Sequence, residues 1–346
     1  MSRSGKGAGR VRVGLIGYGY WGPNLLRNFL KNPECEVVAV ADCDENRLAG
    51  AARLYPGLRT VRSADEVLAD KGIDAVVIST PISTHFDLAS RALNNGKHVL
   101  VEKPMAGTVT HAERLVALAE RRQLTLMVDH TFVYSGAVKT IKGLVQSGDV
   151  GDVYYYDSVR VNLGLFQQDT NVLWDLAPHD FSIMSHVLGA RPTTMWAVGA
   201  RLPHSKGWKT ESLAYVTIEF SDGMLAHFHL NWLSPVKVRR TLIGGSKRMI
   251  VYDHLDPDNQ VKVFDKGVEM HSEAERYQLL VQYRAGDMWA PKVDQTEALE
   301  TACGHFLTCV ATGAKPLSDG QAGLENVQLL AAADRSLSRK GKAIKL

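Results

Sequence analysis

Apolar positions along this chain follow two rhythms. From Val11 to Val128, short apolar runs of buried-strand type alternate with stretches of helical period. Val11–Ile16, Glu36–Ala41, Ala75–Thr80, His98–Val101 and Thr125–Val128 read as strands, and Glu45–Leu54, Ala64–Ala69, Phe86–Asn94 and Val109–Arg122 as helices. Pro81 stops the third strand, and Gly96 stops the helix before the fourth. Alternation of this kind needs crossover connections, so it predicts a doubly wound parallel α/β sheet with helices on both faces. Its ligand crevice then lies beyond the carboxyl ends of the strands.

Near Asp129–Tyr134 the rhythm changes. A helix over Gly136–Ser147 is followed by strand patterns at Val153–Leu163, Thr194–Ala200, Leu213–Phe220, Leu225–Leu233, Val236–Ile243, Arg248–Tyr252 and Val261–Phe264. Turn signals at Ser221-Asp222-Gly223 and Gly244-Gly245-Ser246 join several of them, which predicts an α+β unit with an open, mostly antiparallel sheet. Two helices, Thr296–Thr312 and Gly320–Ser338, close the chain. Strands such as Ala214–Ile218 and Ala226–Leu230 are apolar on both sides, so the open face is expected to meet a second subunit. A core covered on both faces is the alternative.

A length of 346 residues suits two domains. Residues 1–10 read as a disordered tail without the apolar centre of a signal peptide, residues 11–129 as a dinucleotide domain, and residues 130–346 as a substrate and oligomerisation domain. The closing helices over residues 296–338 are free to return to the first of these. A net charge of +3 gives no argument for nucleic acid, and no apolar run approaches the length of a membrane span. Cys35, Cys43, Cys303 and Cys309 show no C-x-x-C spacing, so a reduced, cytoplasmic chain is the default expectation.

The candidate chemistry starts at Gly17-Tyr18-Gly19-Tyr20-Trp21-Gly22, between the first strand and an amphipathic segment. Gly17 permits a tight turn, Gly19 lets backbone approach a pyrophosphate, and Gly22 allows close packing, while Tyr20 and Trp21 flank the same turn. Pro23 falls in the first helical turn, where a missing N–H costs little. Asp42 ends the second strand 20 residues beyond Gly22, placed to accept the ribose hydroxyls of NAD and to repel a 2′-phosphate; no arginine stands immediately after it. NAD is therefore expected over NADP. Thr80-Pro81, with Ser83 and His85, mark the next strand end, where the ribose or nicotinamide side is expected.

Glu102-Lys103-Pro104 follows the end of a parallel strand, so Lys103 is either a donor to a substrate oxygen suited to proton transfer or a solvated lysine before a turn. In Trp174-Asp175-Leu176-Ala177-Pro178-His179-Asp180, Asp175 and His179 share a helix face if Asp175 caps or begins the helix. Pro178 restricts that helix to starting close by, leaving His179 near its amino end beside Asp175 and Asp180, either as an acid–base group or as a structural histidine. His227 and His229 share a strand face but lack a third ligand, so no metal is expected. The basic stretch Lys237, Arg239, Arg240, Lys247 and Arg248 is either a phosphate contact or a solvated surface.

Taken in order, the glycine fingerprint, Glu102-Lys103-Pro104 and Asp175-x-x-x-His179 resemble the Gfo/Idh/MocA oxidoreductase family, and the likeness runs from Val11 to about Ser338. Gly304-His305-Phe306-Leu307 and Pro316-Leu317-Ser318-Asp319-Gly320 are part of it. The resemblance implies a Rossmann domain, a second domain whose open sheet makes a homodimer or homotetramer, and NAD(P)-dependent oxidation or reduction at a sugar or cyclitol CH–OH carbon. By position it implies that Lys103 and His179 form the catalytic pair, in interchangeable roles, with Asp175 orienting His179 or holding a substrate hydroxyl. Glu102 and Lys103 are expected to touch the cofactor as well, and Asn162, Trp174, Lys237 and Arg239 complete the expected substrate contacts. His130-Thr131-Phe132-Val133-Tyr134-Ser135 stands where family members commonly carry arginine or asparagine.

Gly19-Tyr20-Trp21-Gly22-Pro23-Asn24 and Trp232-Leu233-Ser234-Pro235-x-Lys237-x-Arg239 look like the subgroup that oxidises C3 of UDP-linked N-acetylhexosamines or their uronates. The basic stretch suits a diphosphate better than free inositol would require. An NADP-dependent 3-ketosugar reductase, an inositol dehydrogenase and a non-catalytic NAD- or sugar-binding regulator are the alternatives.

Overall fold

A computed structural model describes residues 9–164, 170–201, 210–269, 282–284 and 286–346. The expected tail therefore lies, as far as residue 8, outside the described residues. The chain divides into two units, one running to Tyr134 and resuming over Thr296–Gln328, the other comprising Ser135–Gln295 and Leu329–Leu346.

The first unit is built on β1 (Val11–Ile16), β2 (Cys35–Ala41), β3 (Arg59–Val61), β4 (Ala75–Ile78), β5 (His98–Val101) and β6 (Leu126–Val128), all parallel, in the order β3-β2-β1-β4-β5-β6. The order reverses between β1 and β4, which opens a crevice at their carboxyl ends. The intervening helices are α1 (Gly22–Lys31), α2 (Glu45–Leu54), α3 (Ala64–Ala69), α4 (Ile82–Asn94) and α5 (Val109–Arg122). Arg-Thr-Val is too short and too polar to announce itself, so β3 escapes the apolar pattern. Helix α4 begins four residues earlier than its periodicity suggests, because Pro81 supplies an extended cap with φ −60° directly before it.

Leu15, Val40, Val77, Leu100 and Met127 form the sheet side of one core cluster with Leu25, Leu26 and Phe29 of α1. Leu299, Cys303 and Phe306 join it from α8 (Ala298–Thr312), where Phe306 meets Phe29 edge to face with centroids 6.3 Å apart. Each such fully buried aromatic contributes about 1.5–3 kcal/mol. That is ample reason for a late segment of the chain to complete an early sheet.

In the second unit, α6 (Gly136–Gln146), β7 (Val153–Leu163), α7 (Val172–Leu188), β8 (Pro192–Arg201), β9 (Glu211–Phe220), β10 (Leu225–Asn231), β11 (Leu233–Gly245), β12 (Met249–Asp253) and β13 (Val261–Phe264) follow one another. A two-stranded sheet, β14 (Gly267–Glu269) with β15 (Gln282–Arg284), is separate. The strands β16 (Met288–Trp289) and β17 (Ile344–Lys345) complete a nine-stranded sheet in the order β16-β13-β12-β11-β7-β10-β9-β8-β17. All its pairings are antiparallel except β10 with β7. Helix α9 (Gly320–Ser338) begins in the first unit and ends in the second.

Strand alternation sorts the second sheet into two faces. Tyr156, Ser158 and Arg160 of β7 and Ala226, Phe228 and Leu230 of β10 are buried on the side of α7, whose Phe181 meets Phe228 edge on at 5.0 Å. The opposite face carries Tyr215 stacked on both His227 and His229, with Tyr215 and Leu225 exposed. His227 is held by Thr217 at 3.0 Å. No described helix is long and apolar enough to cross a membrane.

Helix α7 corrects one local expectation. It starts at Val172, capped by the Asn171 side chain, which accepts the Trp174 N–H at 3.1 Å; Asp175 is in its first turn and is not its cap. Pro178 consequently lies inside the helix, where it has no N–H for the carbonyl one turn back. The cap signal of Asn171 and the burial of Leu176, Ala177 and Phe181 outweigh that loss.

Candidate functional site

In the first unit, the glycine loop follows β1 as a backbone cradle. Gly17 has φ +97°, and a Cβ there would collide with the Ser79 carbonyl at the end of β4; a Cβ on Gly22 would strike the Gly17 carbonyl. The space around Gly19 is open, its nearest neighbour being the Arg47 guanidinium at 3.6 Å from an added Cβ. Trp21 stands before α1 with no side-chain cap, so the helix amino end keeps its affinity for an anion. These features fit the pyrophosphate of a dinucleotide. Gly17→Ala is expected to abolish NAD binding in calorimetric titration and to lower stability by more than ~1 kcal/mol, the usual cost of forcing a side chain into such a conformation.

Asp42 is buried at the end of β2. One oxygen accepts the Tyr18 N–H at 2.6 Å and the other accepts the Asp44 N–H at 2.9 Å, so the carboxylate joins the glycine loop to the start of α2. Arg47 approaches Asp42 at 3.6 Å and Asp44 at 3.5 Å. This arginine lies in the first turn of α2, beyond the position directly after Asp42 where a 2′-phosphate partner is expected. Two carboxylates around one guanidinium leave an excess of negative charge, which suits ribose hydroxyls and opposes a 2′-phosphate.

At the end of β4, the Thr80 and Thr84 hydroxyls share a hydrogen bond of 2.7 Å. Pro81 leads into α4, and the buried His85 ring places Nε2 at 2.8 Å from the Thr80 carbonyl and Nδ1 at 2.9 Å from the Pro104 carbonyl. Burial, helped by the charge of Lys103, holds His85 below its ordinary pKa of 6.5. His85 thus ties the loop after β4 to the loop after β5, with both ring nitrogens directed at protein backbone. Tyr20 is 85% exposed, free to cover a ligand on the glycine loop.

Beyond β5, Glu102 and Lys103 are half-buried, and the Lys103–Pro104 peptide is cis. The Lys103 N–H donates to Glu102 Oε2 at 3.2 Å. The neighbouring strand end brings Asp129 and His130, which the sequence reading did not select although they obey the same strand-end rule. Asp129 accepts the Trp21 indole N–H at 3.3 Å and the Thr131 hydroxyl at 2.7 Å. Burial, then the charge of Asp129 and a hydrogen bond with it, raises Glu102 well above the ordinary carboxyl range.

His130 is buried and pushed down to about 4 by burial and by the charge of Lys103. A histidine depressed on folding favours the native state fully above its unfolded value of about 6.5, and loses that contribution as pH falls toward the folded value. For His130 this amounts to ~3 kcal/mol across that window. His186 and His254, likewise lowered to about 4, add in the same direction. Urea unfolding is expected to show a steep stability loss from pH 6.5 to 4.5, lessened in His130→Asn.

In the second unit, Trp174, Asp175 and His179 are half-buried while Leu176, Ala177, Pro178 and Asp180 are buried. Asp175 and His179, one turn apart, therefore share the accessible face of α7. The buried Trp232 donates its indole N–H to Asp175 Oδ2 at 3.0 Å, and Gly164 lies so close to the Trp232 ring that any Cβ would collide with it. Like Arg47, Asp129 and His130, Trp232 has a supporting role that sequence pattern alone does not reveal. Its partner is 57 positions away and no short pattern links them.

Asp180 belongs elsewhere. It takes a two-pronged ion pair from Arg160 of β7, at 2.6 and 3.1 Å, and the Ser158 hydroxyl at 3.1 Å. Asn162 continues the same face of β7 and is half-buried. Arg239 is in register with Arg160 and so lies on the α7 side of the sheet, whereas Arg240 turns to the other side and pairs with Asp253 at 2.7 Å; Lys237 is exposed and precedes the regular pairing, which begins at Val238. The charge of Arg239, then burial and Arg160, pushes Lys237 downward, a sign of concentrated positive charge. Arg248 is paired with Asp149 at 2.9 Å. Among the described residues, no group of three side chains could hold a metal ion.

Comparison with known proteins agrees with both units. The model for the Gfo/Idh/MocA oxidoreductase family with NAD-binding Rossmann fold matches residues 11–130, and that for the Gfo/Idh/MocA C-terminal domain matches residues 138–251. The scyllo-inositol 2-dehydrogenase (NAD(+)) of Bacillus subtilis is 27% identical, covering 68% of this chain and 72% of that protein. The dTDP-3,4-didehydro-2,6-dideoxy-alpha-D-glucose 3-reductase of Streptomyces violaceoruber is 31% identical over 50% of this chain and 53% of its own. Among solved structures, UDP-N-acetylglucosamine 3-dehydrogenase GnnA from Acidithiobacillus ferrooxidans superposes with a TM-score of 0.80 at 24% identity, covering 95% of this chain and 98% of that one. GenD2 from gentamicin A biosynthesis, solved with NAD, gives a TM-score of 0.81 at 22% identity over 100% and 99%. The chain, an NAD-binding Rossmann domain joined to a mixed-sheet domain, belongs to the Gfo/Idh/MocA oxidoreductase family.

Proposed function

We propose that this chain is an NAD-dependent dehydrogenase oxidising a secondary sugar hydroxyl to a ketone, with C3 of a UDP-linked N-acetylhexosamine or its uronate as the substrate position. The observation that carries the reading is the split of the basic stretch by strand alternation. Arg239 lies on the α7 side of the sheet with Asp175 and His179, and Lys237 is close enough to feel the charges of Arg239 and Arg160, so a diphosphate and a sugar ring would both find partners there. The similarity to a UDP-N-acetylglucosamine 3-dehydrogenase fold supports the same substrate class.

NAD supplies the hydride acceptor. In the proposed oxidation His179 takes the hydroxyl proton, Lys103 stabilises the developing alkoxide, and Asp175, steadied by Trp232, orients His179 or holds a neighbouring hydroxyl. The roles of Lys103 and His179 are interchangeable on these grounds. Asn162 and Trp174 flank the sugar, while Gly17, Gly19, Tyr20, Trp21, Gly22, Asp42, Thr80, Pro81, Glu102 and Lys103 serve the cofactor; His85, expected there too, has both ring nitrogens on the Thr80 and Pro104 carbonyls and so holds the two loops around it. The face bearing Tyr215, His227 and His229 is the proposed contact of a cytoplasmic homodimer or homotetramer.

A 3-ketosugar reductase is the second reading, favoured by the 31% identity to a deoxysugar 3-reductase but opposed by the negative charge at Asp42 and Asp44. The test is nicotinamide absorbance with NAD and UDP-N-acetylglucosamine or its uronate. Reduced cofactor is expected; its absence with every nucleotide sugar, while NAD still binds, would overturn the dehydrogenase reading in favour of a binding regulator.

A further inference from the structure

Two carboxyl groups meet at the ends of β5 and β6 without a full complement of counter-charge. Asp129 receives Trp21 on one oxygen and Thr131 on the other, both as donors, so it is placed as the ionised member. Glu102 accepts the Lys103 N–H with one oxygen, and its other oxygen is sealed from solvent beside Asp129. Burial raises both carboxyls, Glu102 the further, so the pair is expected to share one proton, with Glu102 the better placed to hold it. Among the described groups around them, burial and the charge of Lys103 lower His130, and burial keeps the Cys303 thiol of α8 and the Tyr134 phenol protonated. Lys103 brings the positive charge from the loop after β5.

We propose that Glu102 and Asp129 act as one carboxyl dyad that holds a single negative charge against Lys103 and thereby lets this strand end accept the cationic, oxidised nicotinamide. The inference rests on the reading that the nicotinamide lies at Lys103. With the dyad neutralised, Lys103 would repel the oxidised ring and leave the uncharged reduced ring unaffected. Because either carboxyl alone can carry the charge, the two positions are functionally redundant in this respect. Trp21 adds a mechanical element, since its bond to Asp129 fixes the glycine loop to the same dyad.

The test is the ratio of NAD to NADH dissociation constants, by calorimetry, in the full chain. Glu102→Gln and Asp129→Asn singly are expected to change the ratio less than about threefold, whereas the double variant weakens NAD relative to NADH about tenfold, the order expected of one unit charge in a partly buried site. Adding Lys103→Met to the double variant restores the ratio. An unchanged ratio in the double variant overturns the proposal. Should that variant not fold, infrared difference spectra decide on the wild type: a protonated carboxyl band at neutral pH, lost in Glu102→Gln, is expected, and a wild type without it overturns the dyad. These readouts need no turnover. A shifted ratio with no sugar oxidised would retain the dyad and discard the dehydrogenase reading; sugar oxidation with an unshifted ratio would do the reverse.

Discussion

Replacing Lys103 with methionine or His179 with alanine is expected to lower turnover by about 10²–10⁴-fold, the range that a positioned acid or base supplies. NAD affinity should not fall by more than a few-fold. Lys103 stands at a strand end with its side chain half-buried, and His179 on the accessible face of α7, so neither is a core residue whose loss would unfold its unit. The double alanine variant is expected to show no measurable hydride transfer, with an effect well short of the product of the single losses, because groups that act as a unit are not additive. Stopped-flow absorbance of the nicotinamide gives the rate, and calorimetry gives the NAD affinity. Loss of NAD binding in the Lys103 variant would move that residue from proton transfer to cofactor anchoring and sink its proposed role.

The separation of chemistry from support explains how far the sequence could be read. The parallel sheet was legible because its strands are continuous apolar runs, and the glycine loop was legible because Gly17 and Gly22 answer local steric demands, as the collisions of an added Cβ there show. Asp42 was legible by spacing. What escaped were Asp129 receiving Trp21 and Trp232 holding Asp175, whose partners are distant in sequence, and Arg47, which folds back on Asp42 from the first turn of the next helix. A strand-end rule applied to β6 as it was to β5 would have found Asp129 and His130.

The start of α7 shows a different limit. Proline rules placed the helix boundary near Pro178, but propensity is a small term beside the burial of Leu173, Leu176, Ala177 and Phe181, and the Asn171 cap completes the balance. In the second sheet, periodicity fixed which residues alternate but not which face meets α7. Only the register of β11 on β7 shows that Arg239 and Arg240, adjacent in sequence, serve opposite faces.

Asp180 tests that distinction between support and chemistry most severely. Its side chain and that of Arg160 are 3% and 5% exposed, joined by two hydrogen bonds across β7 and α7. Asp180→Ala leaves a guanidinium buried without its carboxylate, and the expected loss is ~3–5 kcal/mol in urea unfolding of the unit that contains it. His179→Ala, one residue away and half-buried, should cost far less stability while costing far more activity. A double replacement by apolar residues of similar volume, Arg160→Met with Asp180→Leu, is expected to regain most of the stability, because it removes both desolvated charges together. If Asp180→Ala were instead stable and catalytically dead, the carboxylate would be acting on His179, and the acid–base assignment on α7 would have to be redrawn around that pair.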